Sequence, residues 1–193
     1  MGEAIITRRG GSGEVIVEFN NFMPSDVDPS DEELIHSTPT ALSVARYSLA
    51  GASVGDYALF AGGHSSSYHG TVDAYDTFLT RSTPTVLSVE RRGLAGASVG
   101  DYALFAGGYS SSTSYSNAVD AYDTFLTRST PTALSAARYL LAGASIGNYA
   151  LFAGGYSGSY HNTADAYTFS VVSEARLYMP IGTKYKFGES EET

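Results

Sequence analysis

One stretch of this chain is written three times. LAGASVGDYALFAGG spans Leu49 to Gly63 and again Leu94 to Gly108, and LAGASIGNYALFAGG spans Leu141 to Gly155. Successive copies lie about 45 to 47 residues apart, a period that marks one propeller blade or one solenoid turn.

Each copy reads as a tight β-hairpin. Ala50 to Val54 is a run of small residues, and Gly55-Asp56 is a two-residue connection suited to positive φ angles. The third copy keeps that allowance with Gly147-Asn148. Tyr57-Ala58-Leu59-Phe60-Ala61 then offers apolar side chains to both faces, the pattern of a strand covered on both sides. Gly62-Gly63 permits a sharp exit that a Cβ would resist. Val72 to Tyr75 supplies a third strand and Ser82 to Ser88 a fourth, which Pro84 restricts to an edge. Ala50-Gly51-Ala52-Ser53 is small enough for the crowded axis of a ring of blades. The expected class is all-β, with three four-stranded units per chain.

In each copy an arginine (Arg46, Arg91, Arg138) precedes the small-residue strand, the next strand ends in Gly-Gly, and a Ser/Tyr loop leads to Asp-Ala-Tyr. That order resembles the kelch repeat over roughly Ser37 to Val172, and the resemblance implies a kelch-like β-propeller. Two features depart from the family pattern. The slot for the usual tryptophan of the fourth strand falls near Ser82 in a chain with no Trp, and the third copy lacks the aspartate that follows Tyr75 and Tyr122. The outer rim is therefore expected to pack differently from that of the family.

Composition narrows the function. A net charge of -9 disfavours a phosphate-binding surface, so nucleic acid is not an expected partner. With no cysteine there is neither disulfide nor thiol chemistry, and the Tyr-Cys crosslink of the copper-radical oxidases built on kelch propellers is ruled out. No apolar run approaches the roughly 20 residues of a membrane helix, and the start MGEAIITRRGG lacks a signal-peptide core. That start resembles short leaders on accessory structural proteins of phages and prophages of Gram-positive hosts. The resemblance implies a virion location, or the host cytoplasm before lysis.

The phase of the repeats bears on assembly. Residues 1–36 read as a leader, a strand from Glu14 to Phe19 and an acidic connector with capping-box spacing at Ser30 and Glu33. The repeats occupy 37–81, 82–128 and 129–172, and a hairpin-like tail follows over 173–193. The first repeat opens on a fourth strand, Ser37 to Ser43, that belongs to a preceding blade. Three blades are too few for a ring of about four to eight. The expected partner is a second copy, giving a six-bladed dimer; the alternative is a four-bladed monomer that uses Glu14 to Phe19 and the Ala175 to Phe187 tail.

Differences among the copies cluster at positions 44–48, 89–93 and 136–140 and in the loops after Gly-Gly, which emerge at one end of the blades. Tyr, Ser, Gly and Asn dominate those loops, a composition shared with antibody binding surfaces. The candidate ligand-binding residues are His64, Tyr68, His69, Tyr109, Tyr115, Tyr156, Tyr160 and His161, together with Arg46, Arg91, Arg92 and Arg138. Arginines 46, 91 and 138 have two roles open to them: facing an acidic ligand at the channel mouth, or locking to Asp73, Asp120 and Asp165. The histidines lack the carboxylates and third ligand of a metal site, and Asp76 and Asp123 suit turn capping. The expected function is a non-catalytic module that binds a surface glycan or protein, with no cofactor. An intracellular protein-interaction adaptor or a glycan-active enzyme are the alternatives.

Overall fold

The computed structural model describes residues 34–111 and 114–169. The chain divides into two units, Met1–Thr38 and Pro39–Thr193. Of the first, residues 34–38 are described; they are exposed and form no helix or strand. The expected Glu14 to Phe19 strand, the Ser30 to Glu33 turn and the Ala175 to Phe187 hairpin lie outside the described residues. So does the four-bladed arrangement that those segments would complete.

Within the second unit the sequence repeat becomes a repeat of antiparallel sheets, and no helix occurs among the described residues. The first sheet runs β1 (Ala50–Val54), β2 (Tyr57–Ala61), β3 (Val72–Tyr75), β4 (Arg81–Ser82). The second begins with β5 (Ala95–Val99) and β6 (Tyr102–Ala106); a small hairpin follows, β7 (Tyr109–Ser110) with β8 (Ser114–Tyr115), and β9 (Val119–Asp123) and β10 (Arg128–Ser129) complete the sheet. In the third sheet stand β11 (Ala142–Ile146), β12 (Tyr149–Ala153) and β13 (Ala164–Thr168). The hairpin register is the same in all three, with Val54 opposite Tyr57, Val99 opposite Tyr102 and Ile146 opposite Tyr149. Gly55, Gly100 and Gly147 take the positive φ of the turn, at 49°, 52° and 52°.

The fourth strands are shorter than the sequence predicts. Among the described residues only Arg81–Ser82 and Arg128–Ser129 pair as fourth strands, and Thr83 to Ser88 leaves the edge. Pro84 has no N–H to continue the ladder. The freed connector instead bridges two sheets: Leu87 N donates to Gly70 O of the first, and Thr85 O accepts from the Tyr122 hydroxyl of the second. Ser37 to Ser43 likewise forms no strand; Thr40 and Ser43 bond to Tyr75 and Asp73 of the chain's own first sheet.

Period-two alternation sorts the side chains. One face of the first sheet (Ala50, Val54, Leu59, Ala61, Val72, Ala74) packs on Ala103, Phe105 and Tyr122 of the second, with Leu87 and Leu94 from the connector. The matching face of the second (Ala95, Ala97, Val99, Leu104, Ala106, Val119, Ala121) packs on Ala150 and Phe152 of the third, with Leu134 and Leu141. Closest approach is at the inner strands, β1 to β5 to β11. A Cβ on Gly96 would stand 2.1 Å from Gly51 O, and one on Gly143 would stand 2.2 Å from Gly96 O. The small residues are thus required by backbone contact between sheets. A serine ladder runs along the same strands, with Ser53 N donating to Ser98 Oγ (3.1 Å) and Ser98 N to Ser145 Oγ (2.8 Å).

Candidate functional site

Beneath the loops, each arginine is held in a recurring lock. Arg46 Nη1 lies 2.8 Å from Asp73 Oδ2, Arg91 Nη1 lies 2.8 Å from Asp120 Oδ2, and Arg138 Nη2 lies 2.6 Å from Asp165 Oδ2. The guanidinium also donates to the carbonyls of Phe60, Phe105 or Phe152 on the second strand of its sheet. Ser43, Ser88 and Ser135 donate their N–H groups to the same aspartates, and the hydroxyls of Tyr75, Tyr122 and Tyr167 reach back to Thr40, Thr85 and Thr132. Arg81 and Arg128 add a second cation to the first two locks.

This arrangement settles protonation as well as geometry. Burial works against the Asp73 carboxylate, but hydrogen bonds from Ser43 and Arg46 outweigh it and hold its pKa below the usual carboxylate value. At Asp165 burial is likewise outweighed, by Arg138 and Ser135. Burial lowers the Arg91 pKa while Asp120 opposes it. The side chains of Arg46, Arg91 and Arg138 are fully covered, so these three candidates lie inside the lock and away from the loop surface.

Above the locks the loops bring aromatic rings into a row. Positive φ at Gly62 and Gly63 (70° and 113°) turns the chain out of β2 and brings His64 into a bridge with Tyr47, and the same exit recurs at Gly107-Gly108 and Gly154-Gly155. His64 sits 5.5 Å from Tyr47 and 4.9 Å from Tyr68, ring centre to ring centre. Tyr68 reaches Tyr109 of the second sheet at 6.1 Å, and Tyr109 meets Tyr115 at 5.6 Å and Tyr139 at 5.9 Å. Tyr115 reaches Tyr156 of the third sheet at 6.2 Å, and Tyr156 meets Tyr160 at 5.4 Å. Arg92 lies over the rings of Tyr68 and Tyr109 at 5.8 and 6.0 Å, within cation–π range. The Tyr115 hydroxyl has a raised pKa, from burial and then from Tyr156, Tyr139 and Tyr109, so it stays a neutral donor.

Seven of the sequence candidates therefore share one belt: His64, Tyr68, Arg92, Tyr109, Tyr115, Tyr156 and Tyr160. His69 and His161 serve the loops instead, through Nε2 to Ser65 Oγ (2.7 Å) and Ser157 Oγ (2.6 Å). Tyr47 and Tyr139 belong to the belt and were not among the candidates. Their signal is positional: each follows a lock arginine, in the slot Arg92 occupies in the second copy, within the stretches where the copies differ. Asp76 and Asp123 cap turns, accepting from the N–H groups of Phe78 and Thr80 and of Phe125 and Thr127.

Chemically the belt offers ring faces, phenol hydroxyls and one guanidinium. Among the described residues no three His, Asp or Glu side chains converge to hold a metal ion, and no helix is long and apolar enough to cross a membrane. A cavity of about 290 Å³ between the second and third sheets is lined by Val99, Tyr102, Leu104, Tyr167 and Phe169, none of them a belt residue. Neither a family model nor any curated protein matches the chain.

Proposed function

We propose that the chain is a non-catalytic binding module of kelch-like blades, carried on a phage or prophage particle, that takes up a surface glycan on its aromatic belt. The observation that carries this reading is the continuity of the rings, from Tyr47 through Tyr109 and Tyr115 to Tyr160, across three sheets. A sugar presents apolar C–H faces and hydroxyl edges; phenol rings cover the first and phenol and serine hydroxyls bond to the second. Tyrosine does this at small entropic cost, having only two side-chain torsions to fix. The buried locks hold the loops from below, so the surface is preorganised.

The test is glycan-array screening of the intact chain, followed by titration calorimetry with the best binder. Replacing Tyr68, Tyr115 and Tyr160 together with Ala is expected to weaken binding by at least a hundredfold, with the circular dichroism spectrum unchanged. Unaltered affinity in that variant removes the belt from the reading. Turnover of the glycan moves the chain to the enzyme class, and capture of a protein with no glycan moves it to an adaptor.

A further inference from the structure

The two end sheets of the stack expose opposite faces of the same repeated unit. On the third sheet Ala142, Ala144, Ile146, Tyr149, Ala153, Ala164 and Ala166 are exposed, with Ile146 at 67%, where their second-sheet counterparts Ala97 and Val99 are 5% exposed. The first sheet exposes the complementary set, Gly51, Ser53, Ala58 and Phe60, whose counterparts Ala103 and Phe105 are fully buried. We propose that a second copy of this chain seats on both ends head-to-tail, closing a ring of two chains and six sheets. Six lies within the four to eight that such rings use, and a reciprocal head-to-tail pair closes under twofold symmetry.

The junctions inside the chain specify the seam residue by residue. Gly63 N donates to Arg91 O and Arg91 N to His69 O at the first junction; Gly108 N donates to Arg138 O and Arg138 N to Ser116 O at the second. The next step places Gly155 N on Arg46 O, and Arg46 N on His161 O, across two chains. Leu42, which is partly exposed where Leu87 and Leu134 are 4% and 3% exposed, enters the third-sheet face. Gly51 is the second mark of the seam. Gly96 and Gly143 are required by the carbonyl of a neighbouring sheet, whereas a Cβ on Gly51 meets Phe60 at 3.5 Å and Leu59 O at 3.8 Å, both within its own sheet and both ordinary contacts. In the ring that space is taken by Gly143 O of the second copy.

The seam also completes the belt. Each sheet's outermost tyrosine touches the next sheet's ring, as Tyr68 touches Tyr109 and Tyr115 touches Tyr156, but Tyr160 is 90% exposed at one end and Tyr47 54% exposed at the other. Closure brings Tyr160 of one chain to the Tyr47 and His64 end of its partner. This assembly rests on the sheet junctions and stands whatever the belt binds.

Sedimentation equilibrium of the full chain at micromolar concentration is expected to return twice the monomer mass. Gly51→Ala is expected to halve that mass while leaving the spectrum and fold of the single chain intact, because its Cβ makes only an ordinary contact there. The chain has no cysteine, so Tyr47→Cys and Tyr160→Cys can be introduced cleanly; oxidation is expected to cross-link a mixture of the two variants and neither alone. Four results overturn the proposal: a monomer mass for the unaltered chain, open-ended growth, a Gly51→Ala variant that keeps the doubled mass, or a mixture that does not cross-link.

Discussion

The strand AGASV of the second sheet and the strand AGASI of the third differ by one methylene, yet one is buried at alternate residues and the other is exposed along its whole length. Their partners match as well, since YALFA follows both in the same register. What differs is the neighbour: among the described residues the second sheet lies between two others, and the third has one. The lesson is that each copy carries both halves of a packing interface, and position in the stack decides which half is used.

The largest expected effect strikes the interior. Asp120→Ala strands the covered Arg91 guanidinium and removes the acceptor of Ser88 and Arg128, and is expected to cost about 3–5 kcal/mol in urea denaturation. Asp165→Ala should cost less, because its carboxylate keeps 16% exposure and has no arginine where Arg128 stands in the second copy. Equal losses at the two positions break the contrast between interior and end.

Next in size comes the apolar face. Leu104→Ala is expected to cost about 3 kcal/mol at any protein concentration, given its 3% exposure. Leu151→Ala, at the partly exposed counterpart, should cost roughly half that in dilute solution. Its cost should climb toward that of Leu104→Ala as concentration rises if a second copy covers the third sheet.

Titration sharpens the comparison from both sides. Asp73 and Asp165 have folded pKa values below their unfolded ones, so their contribution is whole above the unfolded carboxylate pKa, about 4, and disappears as pH falls through the folded values. The tyrosines run the other way. Burial pushes Tyr167 up to about 12 and raises Tyr122 further, so their contribution is whole below about pH 10 and is lost as pH rises through the folded values. Thermal melts across pH should therefore show a plateau that falls at both ends, and a Tyr122→Phe chain should lose less of its stability on the alkaline side.

The smallest effect is a single hydrogen bond. Tyr122→Phe removes the bond to Thr85 O and is expected to cost about 1 kcal/mol at neutral pH, measured by urea denaturation. Tyr167→Phe should cost less, since its bond to Thr132 O faces water.

Much of the fold was legible along the chain because its causes are local. Gly55 before Asp56 marks the turn, and alternation in Tyr57 to Ala61 marks a two-sided strand; both came from spacing alone. The short fourth strand was harder to read. Ser82 to Ser88 has the composition of an edge strand, but the carbonyl of Thr85 and the N–H of Ser88 find partners on the next sheet, more than thirty residues away. The belt was legible in its loops and missed at Tyr47 and Tyr139, because their flanking stretches carry no turn or glycine signal. Two roles were open to Arg46, Arg91 and Arg138, and the choice between them needed the distance to Asp73, Asp120 and Asp165.

By itself the sequence determined the hairpin, its turn, its glycine exit and its threefold repetition, since sterics at a turn and a period of two depend only on neighbours in the chain. Only the tertiary structure decided which copy is interior, that the lock arginines pair with aspartates under cover, and which rings meet, because burial and pairing depend on what stands opposite in space. Three nearly identical strings therefore hold three different environments.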